Sequence, residues 1–170
     1  MTLNSTLQAI DATHFRQVMR YLPSSVVAIC AEDPEDGAPC GLIAGTFQSL
    51  SLEPALVTFS VARSSTSWPK ISRADYFSVN ILADGQQSVC KSLSSKGGDK
   101  FLTIHWQDSA YQTPHIQGSL GWIDCAIGHE LDGGDHLIVI AHVLEMCAGE
   151  GDPLVFHGGK LGSFRESVAA

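Results

Sequence analysis

The chain has 170 residues, of which 44% are hydrophobic and 16% charged, and its formal net charge is −8 with only 10 lysine and arginine residues. These values are typical of a globular protein that can bury a sizeable core, and no apolar run is long enough to span a membrane. The acidic balance argues against nucleic acid as a ligand, so an anionic nucleotide would have to be bound by backbone N–H groups and a few placed cations.

The N-terminal part is predicted to contain a helix and two strands. Asp11 can cap an amphipathic helix over Ala12–Leu22, and Pro23 ends it. The β-branched, apolar segment Ser24–Ala31 indicates a buried strand. A turn rich in Asp, Pro and Gly then joins it in a hairpin to a second strand, Pro39–Gly45.

The stretch Gly41–Ser60 is the most informative part of the sequence. It begins apolar, breaks into small and hydroxyl residues, and becomes apolar again after Pro54. This pattern predicts a strand, a polar loop and a second strand. The loop can hold a flat, hydrogen-bonding ligand or a phosphate, because its small side chains let the backbone come close. The alternative is an ordinary turn region with a high serine count.

A second polar segment follows the strand predicted at Ala55–Val61. Here Arg63 precedes four consecutive hydroxyl residues, Ser64–Ser67, which either cap a short helix or donate hydrogen bonds to a phosphate. A strand at Tyr76–Leu82 and a helix at Gln86–Leu93 are predicted next. Residues 103–118 show no clear periodicity and are expected to be irregular.

The C-terminal part is predicted to be a long hairpin and a short strand. Trp122–Leu131 and His136–Met146 flank the sequence Asp-Gly-Gly-Asp, which is a strong hairpin signal. Pro153–His157 is the last predicted strand. About seven strands in meander order, with few helices, favour an antiparallel barrel.

Common catalytic and nucleotide-binding motifs are missing from the sequence. It has no G-x-G-x-x-G after a strand, no phosphate loop, no H-E-x-x-H and no G-x-S-x-G, so any nucleotide must be bound by another design. His136 and His142 share strand parity, but no interleaved carboxylate completes a ligand set, and we predict no metal site. The five cysteines form no C-x-x-C pair, and no secretory signal is visible, which favours reduced thiols in a cytoplasmic protein.

Several short motifs, each weak alone, occur together in one order. They are Leu22-Pro23-Ser24-Ser25-Val26, Gly41–Pro54, Arg63-Ser64-Ser65-Thr66, Phe77–Leu82, Lys100-Phe101, Gly134-Asp135-His136 and Pro153–Phe156. In this order and spacing the chain resembles the flavin reductase-like proteins, over roughly Phe15 to Lys160. The resemblance implies a mainly β fold, the FMN-binding split β-barrel, antiparallel and Greek-key-like with a few peripheral helices. We expect one domain over residues 1–170, with a core at about 12–165.

The resemblance also implies an activity and a set of site residues. It implies an NAD(P)H:flavin oxidoreductase that transfers hydride from NADH or NADPH to N5 of FMN or FAD. The expected assembly is a homodimer with flavin at the subunit interface, and the expected partner is a flavin-dependent monooxygenase. His136 would face the nicotinamide. The residues implied to bind flavin are Ala44, Gly45, Thr46, Ser49, Leu50 and Ser51 along the ring and ribityl chain, and Arg63, Ser64, Ser65, Thr66, Ser67 and Lys100 near the phosphate.

The sequence departs from the family pattern at three places. Ser24-Ser25 stands where Thr-Gly is common, Gly45-Thr46 where Asn-Ser or Ser-Ser is common, and Pro54-Ala55 where Pro-Pro is common. Ser25 could tighten access to the site, so the choice between FMN and FAD stays open. Two alternatives also remain: a flavin-binding electron-transfer protein of the same fold without NAD(P)H turnover, and a split-barrel binding module for haem or another cofactor.

Overall fold

The computed structural model describes residues 10–164 of the chain. In this range there are three helices: α1 Ala12–Met19, α2 Trp68–Ile71 and α3 Gln87–Ser94. None of these three is long and apolar enough to cross a membrane. The strands of the described range are β1 Ser24–Ser25, β2 Val27–Glu32, β3 Pro39–Ala44, β4 Gln48–Leu52, β5 Ala55–Ala62, β6 Phe77–Ile81, β7 Trp106–Asp108, β8 Pro114–Ile116, β9 Gly121–Gly133, β10 His136–Ala148, β11 Leu154–His157 and β12 Lys160–Ser163.

Seven strands form the main sheet in the order β3-β2-β6-β9-β10-β5-β4, and all neighbours are antiparallel. The long β9–β10 hairpin is its centre. β6 pairs with the first half of β9, and β5 pairs with the first half of β10, so the two flanking groups of strands attach at opposite ends of the hairpin. The predicted antiparallel, mainly β fold is confirmed. The predicted meander order is wrong, because β2 pairs with β6 across three intervening strands.

Aromatic residues fill one side of the core. Phe59 packs edge-on against Trp68 and Phe77, with ring centroids 5.6 and 5.9 Å apart. All three rings are buried. Because such offset aromatic pairs add to the free energy gained from burial, Trp68 fastens α2 to the sheet. The polar segment that precedes α2 is thereby held beside β5.

A second cluster of buried apolar side chains, separate from the aromatic one, lies under α3. Its amphipathic pattern buries Cys90 and Leu93, which are one turn apart. Gly41 of β3 lets this helix come close, since an added Cβ there would lie 3.2 Å from both the Leu93 side chain and the Cys30 sulfur. The helix end therefore sits directly above β3, where it helps to form the site described below.

The polar loop predicted within Gly41–Ser60 is in part a strand, which corrects the sequence interpretation. Gln48–Leu52 forms β4 and pairs with β5 from Gln48↔Thr58 to Leu52↔Ala55. It is an edge strand whose leucines face outward, with Leu50 48% and Leu52 95% exposed. Since hydroxyl residues alternate with exposed leucines here, the sequence does not show the buried face by which a strand is usually recognised.

The segment 103–118, expected to be irregular, contains the β7–β8 pair. An interior side chain holds it: Asn80 Nδ2 donates to the Pro114 carbonyl at 3.1 Å, and the Ile116 N–H donates to Asn80 Oδ1 at 2.7 Å. The short strand β12 was also not predicted; it follows the turn at Gly158-Gly159 and pairs with β11. The predicted helix cap is confirmed, because the Asp11 carboxylate accepts from the His14 N–H at 3.0 Å.

A buried polar pair lies beneath this segment. His115 Nε2 is 3.0 Å from Asp124 Oδ1, and the two side chains are only 6% and 0% exposed. The Thr113 hydroxyl also donates to Asp124, and the His115 ring stacks on Trp122 with centroids 4.0 Å apart. The pair thus joins the β8 strand to β9 from inside the protein.

Candidate active site

A cleft of about 420 Å³ opens where the end of β3, the end of β5 and the start of β10 meet the C-terminal end of α3. We call it the site cleft. It contains most of the residues predicted to bind flavin, together with His136. It is lined by Leu42–Thr46, Ser60–Ala62, Ser64–Ser67, Leu93–Lys96, Lys100 and His136.

Gly45 and Thr46 form a narrow, exposed part of the cleft wall. The Thr46 hydroxyl accepts from the Ser60 N–H at 2.8 Å and lies 3.3 Å from the Ser60 carbonyl, so it fixes this turn to β5. A Cβ at Gly45 would lie 3.2 Å from the Ser24 hydroxyl oxygen. The Thr46 side chain is therefore used by the fold, and what this turn offers to a ligand is its backbone.

The hydroxyl residues Ser64–Ser67 divide into two kinds. The Ser65 hydroxyl accepts from the Trp68 N–H at 3.2 Å, and the Ser67 hydroxyl accepts from Lys100 Nζ at 3.0 Å. Ser64 and Thr66 are exposed in the cleft wall. The N-cap residue of α2 is Ser67, whose side chain makes no capping hydrogen bond, and Ser65 binds the first N–H of the helix instead. Ser64 and Thr66 face the side open to a ligand.

Lys100 joins three parts of the cleft. Its ammonium lies 3.0 Å from the Leu93 carbonyl, 3.0 Å from the Ser67 hydroxyl and 3.5 Å from the Gly41 carbonyl. Partial burial lowers the pKa of Lys100, because burial removes water from the charged form. A positive charge at the C-terminal end of α3 is also favourable to the helix. Lys96, which the sequence analysis did not select, is the second lysine of the lining.

His136 is the first residue of β10 and pairs with Ala62 on one side and Gly133 on the other. Its Nδ1 lies 2.7 Å from Asp135 Oδ1, and this hydrogen bond lowers the pKa of Asp135. A carboxylate at Nδ1 favours the tautomer with the proton on that nitrogen, so Nε2 remains available to a ligand. His136 is half-buried and lines the cleft.

Comparisons with known proteins agree on one family. A family model described as "Flavin reductase like domain" matches residues 19–165. The chain belongs to this family. A flavin reductase from Pseudomonas putida is 45% identical over 157 residues, covering 92% of this chain and 92% of that protein. The FMN reductase (NADH) SmoA from Agrobacterium fabrum is 33% identical over 154 residues, covering 91% of this chain and 87% of that protein.

Among solved structures, a homologue of nitrilotriacetate monooxygenase component B, from Mycobacterium thermoresistibile, has a similar fold. Its TM-score is 0.86 with 34% sequence identity, covering 93% of this chain and 90% of that chain. Membership of the flavin reductase-like family confirms the resemblance and the split-barrel fold. It also confirms, at the level of the family, the predicted activity of a flavin-reducing oxidoreductase with flavin and nicotinamide cofactors.

Four residues that the flavin reductase resemblance implied lie outside the lining of the site cleft. Ser49, Leu50 and Ser51 are on β4, and Leu50 lines a separate groove on the outer side of β5 with Thr46 and Ile138. Arg63 is turned toward the β9–β10 hairpin instead, where its Nε donates to the Gly134 carbonyl at 3.0 Å. Their predicted contacts to flavin stay predictions, and none of the four shares the lining of the site cleft with the other nine.

An adjoining cavity of about 610 Å³ shares Ile43, Gly45, Thr46 and Ser94 with the site cleft. We call it the apolar cavity, because its walls include Leu22, Val26, Phe156 and Leu161. Sequence analysis placed Leu22, Val26 and Phe156 in the motifs that carry the family resemblance but assigned none of the four to a binding site, since a single apolar residue in a strand or turn does not by itself indicate a ligand. The two cavities together fit a flavin nucleotide: hydroxyls and lysines suit the phosphate and ribityl chain, and apolar walls suit the ring system.

Proposed function

We propose that the site cleft aligns a nicotinamide ring with the isoalloxazine ring of FMN or FAD, so that hydride passes from NADH or NADPH to flavin N5. The supporting observation is that one cleft brings together Lys100, the hydroxyl residues of segment Ser64–Ser67 and the His136 ring. No side chain has to form a covalent bond. The protein contributes by stacking the two rings and limiting access of water, and the flavin supplies the hydride acceptor.

Each group of lining residues has a distinct task in this proposal. Ser64 and Thr66 donate hydrogen bonds to the flavin phosphate, and Lys100 supplies positive charge, which makes such contacts stronger than neutral ones. The backbone of Gly45 and Thr46 borders the ring system. His136 Nε2 contacts the nicotinamide carboxamide and sets the direction of the hydride donor, while Asp135 holds the imidazole by its other nitrogen.

The decisive experiment is a flavin titration combined with NADH oxidation. The purified chain should bind FMN or FAD near 1:1 and consume NADH or NADPH only when flavin is present. A bound flavin that bleaches with dithionite but not with a nicotinamide nucleotide would identify an electron-transfer protein instead. Affinity for haem without affinity for flavin would identify the other alternative, and absence of flavin binding would refute the proposal.

Lys100→Ala tests the phosphate assignment. Loss of a charge-assisted contact should weaken FMN binding by about 1.5–3 kcal/mol, whereas riboflavin has no phosphate and should lose much less. Lys91→Ala is the matched control, since Lys91 is an exposed lysine of α3 outside the cleft lining. Equal weakening of both ligands would show that Lys100 acts only through its contacts to Ser67 and Leu93.

The chain is proposed to act as a homodimer that delivers reduced flavin to a monooxygenase. Support for the dimer comes from exposed apolar residues on α1 and on two strands: Phe15, Val18, Leu52 and Met146 are 54%, 54%, 95% and 64% exposed. Large apolar side chains left exposed in this number are typical of a surface that a second protein covers. Light scattering should give twice the 18.1 kDa protomer mass. A monomer mass at micromolar concentration, with activity intact, would rule the dimer out.

A cytoplasmic location is proposed as well. It is supported by four free, buried cysteines, Cys30, Cys40, Cys90 and Cys125, because reduced thiols persist in a reducing compartment. Fractionation of cells that express the chain, with a secreted and a cytoplasmic marker as controls, would test it.

A further inference from the structure

We propose that Arg63 is a positioning residue: it holds the tip of the β9–β10 hairpin so that His136 keeps the orientation that hydride transfer needs. The inference rests on the proposed function of His136, and it replaces a phosphate contact as the role of Arg63. It is carried by contacts between Arg63 and three residues at the end of the hairpin, Asp132, Gly134 and Asp135.

The Arg63 side chain makes two contacts to the hairpin, and its backbone makes a third. Nε donates to the Gly134 carbonyl at 3.0 Å, and the guanidinium forms an ion pair with Asp132. The Arg63 N–H donates to the Asp135 carbonyl at 3.0 Å. An exposed ion pair alone contributes little. Here, however, the planar guanidinium bonds to a carbonyl and a carboxylate of the same turn, a geometry that lysine cannot reproduce.

The contacted turn leads directly to the functional histidine. Gly134 adopts a positive φ of 77°, and Asp135 is shared: its carbonyl accepts from Arg63, and its carboxylate accepts from His136 Nδ1. Because glycine has few conformational restrictions of its own, the turn depends on outside contacts for a single arrangement. Arg63 supplies such contacts one residue away from the histidine.

A further hydrogen bond joins the same two segments. Trp68 Nε1 donates to Glu130 Oε1 at 2.8 Å, and Trp68 itself is anchored in the core. The segment from Arg63 to Trp68 is therefore fastened to the hairpin at both of its ends. These two connections hold the hydroxyl residues Ser64–Ser67 and the His136 ring in a fixed relative position. Removal of the Arg63 contacts should therefore shift His136, while the Trp68 contact stays in place.

Substitution of Arg63 is expected to affect the nicotinamide half of the reaction. Loss of alignment between donor and acceptor lowers the rate of transfer more than the affinity for the other partner. Arg63→Ala should lower kcat/KM for NADH about five-fold and leave the FMN dissociation constant within two-fold. Arg63→Lys should give an intermediate loss, because it keeps the charge near Asp132 but not the Nε bond.

A double-mutant cycle with His136→Ala tests whether Arg63 acts through the histidine. If it does, Arg63→Ala should have almost no further effect on kcat/KM in the His136→Ala background. Arg73→Ala is the matched control, since Arg73 is also about half exposed (47% against 46%) and ion-paired but contacts Asp33 and Glu35. It should behave as wild type. Thermal unfolding of each variant should show that it is folded.

Three results would overturn the inference. One is additive losses in the double mutant, and another is a wild-type rate in Arg63→Ala. The third is weakened FMN binding in Arg63→Ala with unchanged riboflavin binding, which would show that Arg63 contacts the flavin phosphate. Failure of the proposed function looks different, because the wild-type protein itself would then not consume NADH in the presence of flavin.

Discussion

Two histidine–aspartate pairs in this protein have similar geometry and opposite surroundings. His115 lies 3.0 Å from Asp124, with side chains 6% and 0% exposed, whereas His136 lies 2.7 Å from Asp135, with side chains 45% and 94% exposed. The first pair has Thr113 on its carboxylate and Trp122 against its ring. The second pair stands at a hairpin turn on the edge of the site cleft.

The difference teaches that access, and not the pair distance, separates a structural histidine from one that a ligand can reach. Asp124 is hydrogen-bonded to Thr113 and His115 and sealed from solvent, so its contacts contribute to folding and no ligand can reach the imidazole. Asp135 contacts only one nitrogen of His136, which leaves the other for a ligand. Each pair should therefore respond to substitution in a different measurement: unfolding for the first, nicotinamide kinetics for the second.

The largest expected effect is a loss of stability when the buried pair of His115 and Asp124 is disrupted. Asp124→Ala should lower the free energy of unfolding by about 3–5 kcal/mol, because it leaves the partners of a buried carboxylate unpaired. Urea denaturation measures this loss. Asp124→Asn keeps the size and one acceptor and should lose about 1–3 kcal/mol. Asp135→Ala is the control and should shift the midpoint far less than either Asp124 variant; a wild-type midpoint in the Asp124 variants would contradict the structural role of this pair.

The exposed pair should show its effect in kinetics. His136→Ala should lower kcat/KM for NADH about ten-fold, or roughly 1.4 kcal/mol, with the FMN dissociation constant almost unchanged. Stopped-flow flavin reduction at varied NADH, beside an FMN titration, separates the two quantities. His142→Ala is the control, since His142 is on the same strand but outside the cleft lining. Wild-type reduction rates in His136→Ala would make His136 a solvated turn residue.

The smallest expected effect is on the pH dependence of stability. The hydrogen bond from His136 lowers the pKa of Asp135, so the folded state holds the ionised carboxylate more strongly than the unfolded chain does. The resulting stabilisation is present above the unfolded pKa of about 3.9 and is lost as pH falls through the lower folded value. Asp135→Asn should therefore reduce the fall in urea midpoint between about pH 5 and pH 2.

Part of that fall should survive in Asp135→Asn. Contacts from Lys70 and the Glu35 N–H also lower the pKa of Asp33. The stabilisation from Asp33 is therefore also lost as pH falls. Adding Asp33→Asn should remove a further part of the pH dependence. An unchanged curve in Asp135→Asn would mean that the exposed pair has no influence on folding at any pH.

Much of the fold could be predicted because short sequence patterns mark its strands and its central turn. β-branched runs identified the buried strands, and Asp-Gly-Gly-Asp identified the central hairpin. Strand β4 was missed because its leucines face outward and do not mark a buried side. The β7–β8 pair was missed because the Asn80 side chain, 34 residues before Pro114, holds it in place. A pattern along the chain does not show such a distant partner.

The site was predictable to a similar degree. The turn at Gly45-Thr46 and the hydroxyl segment carry small polar residues in a row, and the structure places them in one cleft. The Arg63 contact could not be predicted from spacing, because a long cationic side chain has many possible partners and its actual one, Asp132, is 69 residues away. The apolar cavity could not be predicted either, because its walls come from the end of α1 and from the last hairpin, which are far apart in the sequence.

The distribution of the cysteines has a practical consequence. Burial raises the pKa of Cys40 to about 11 and that of Cys125 to about 12, and it also raises the pKa of Cys30 and Cys90. Cys147, on the outer half of β10, is exposed. Since the thiolate is the reactive form, a maleimide at neutral pH should modify Cys147 alone. Cys147 is thus a natural attachment site for a spin label or fluorophore, and distances between labels would map the arrangement of two copies in the proposed homodimer.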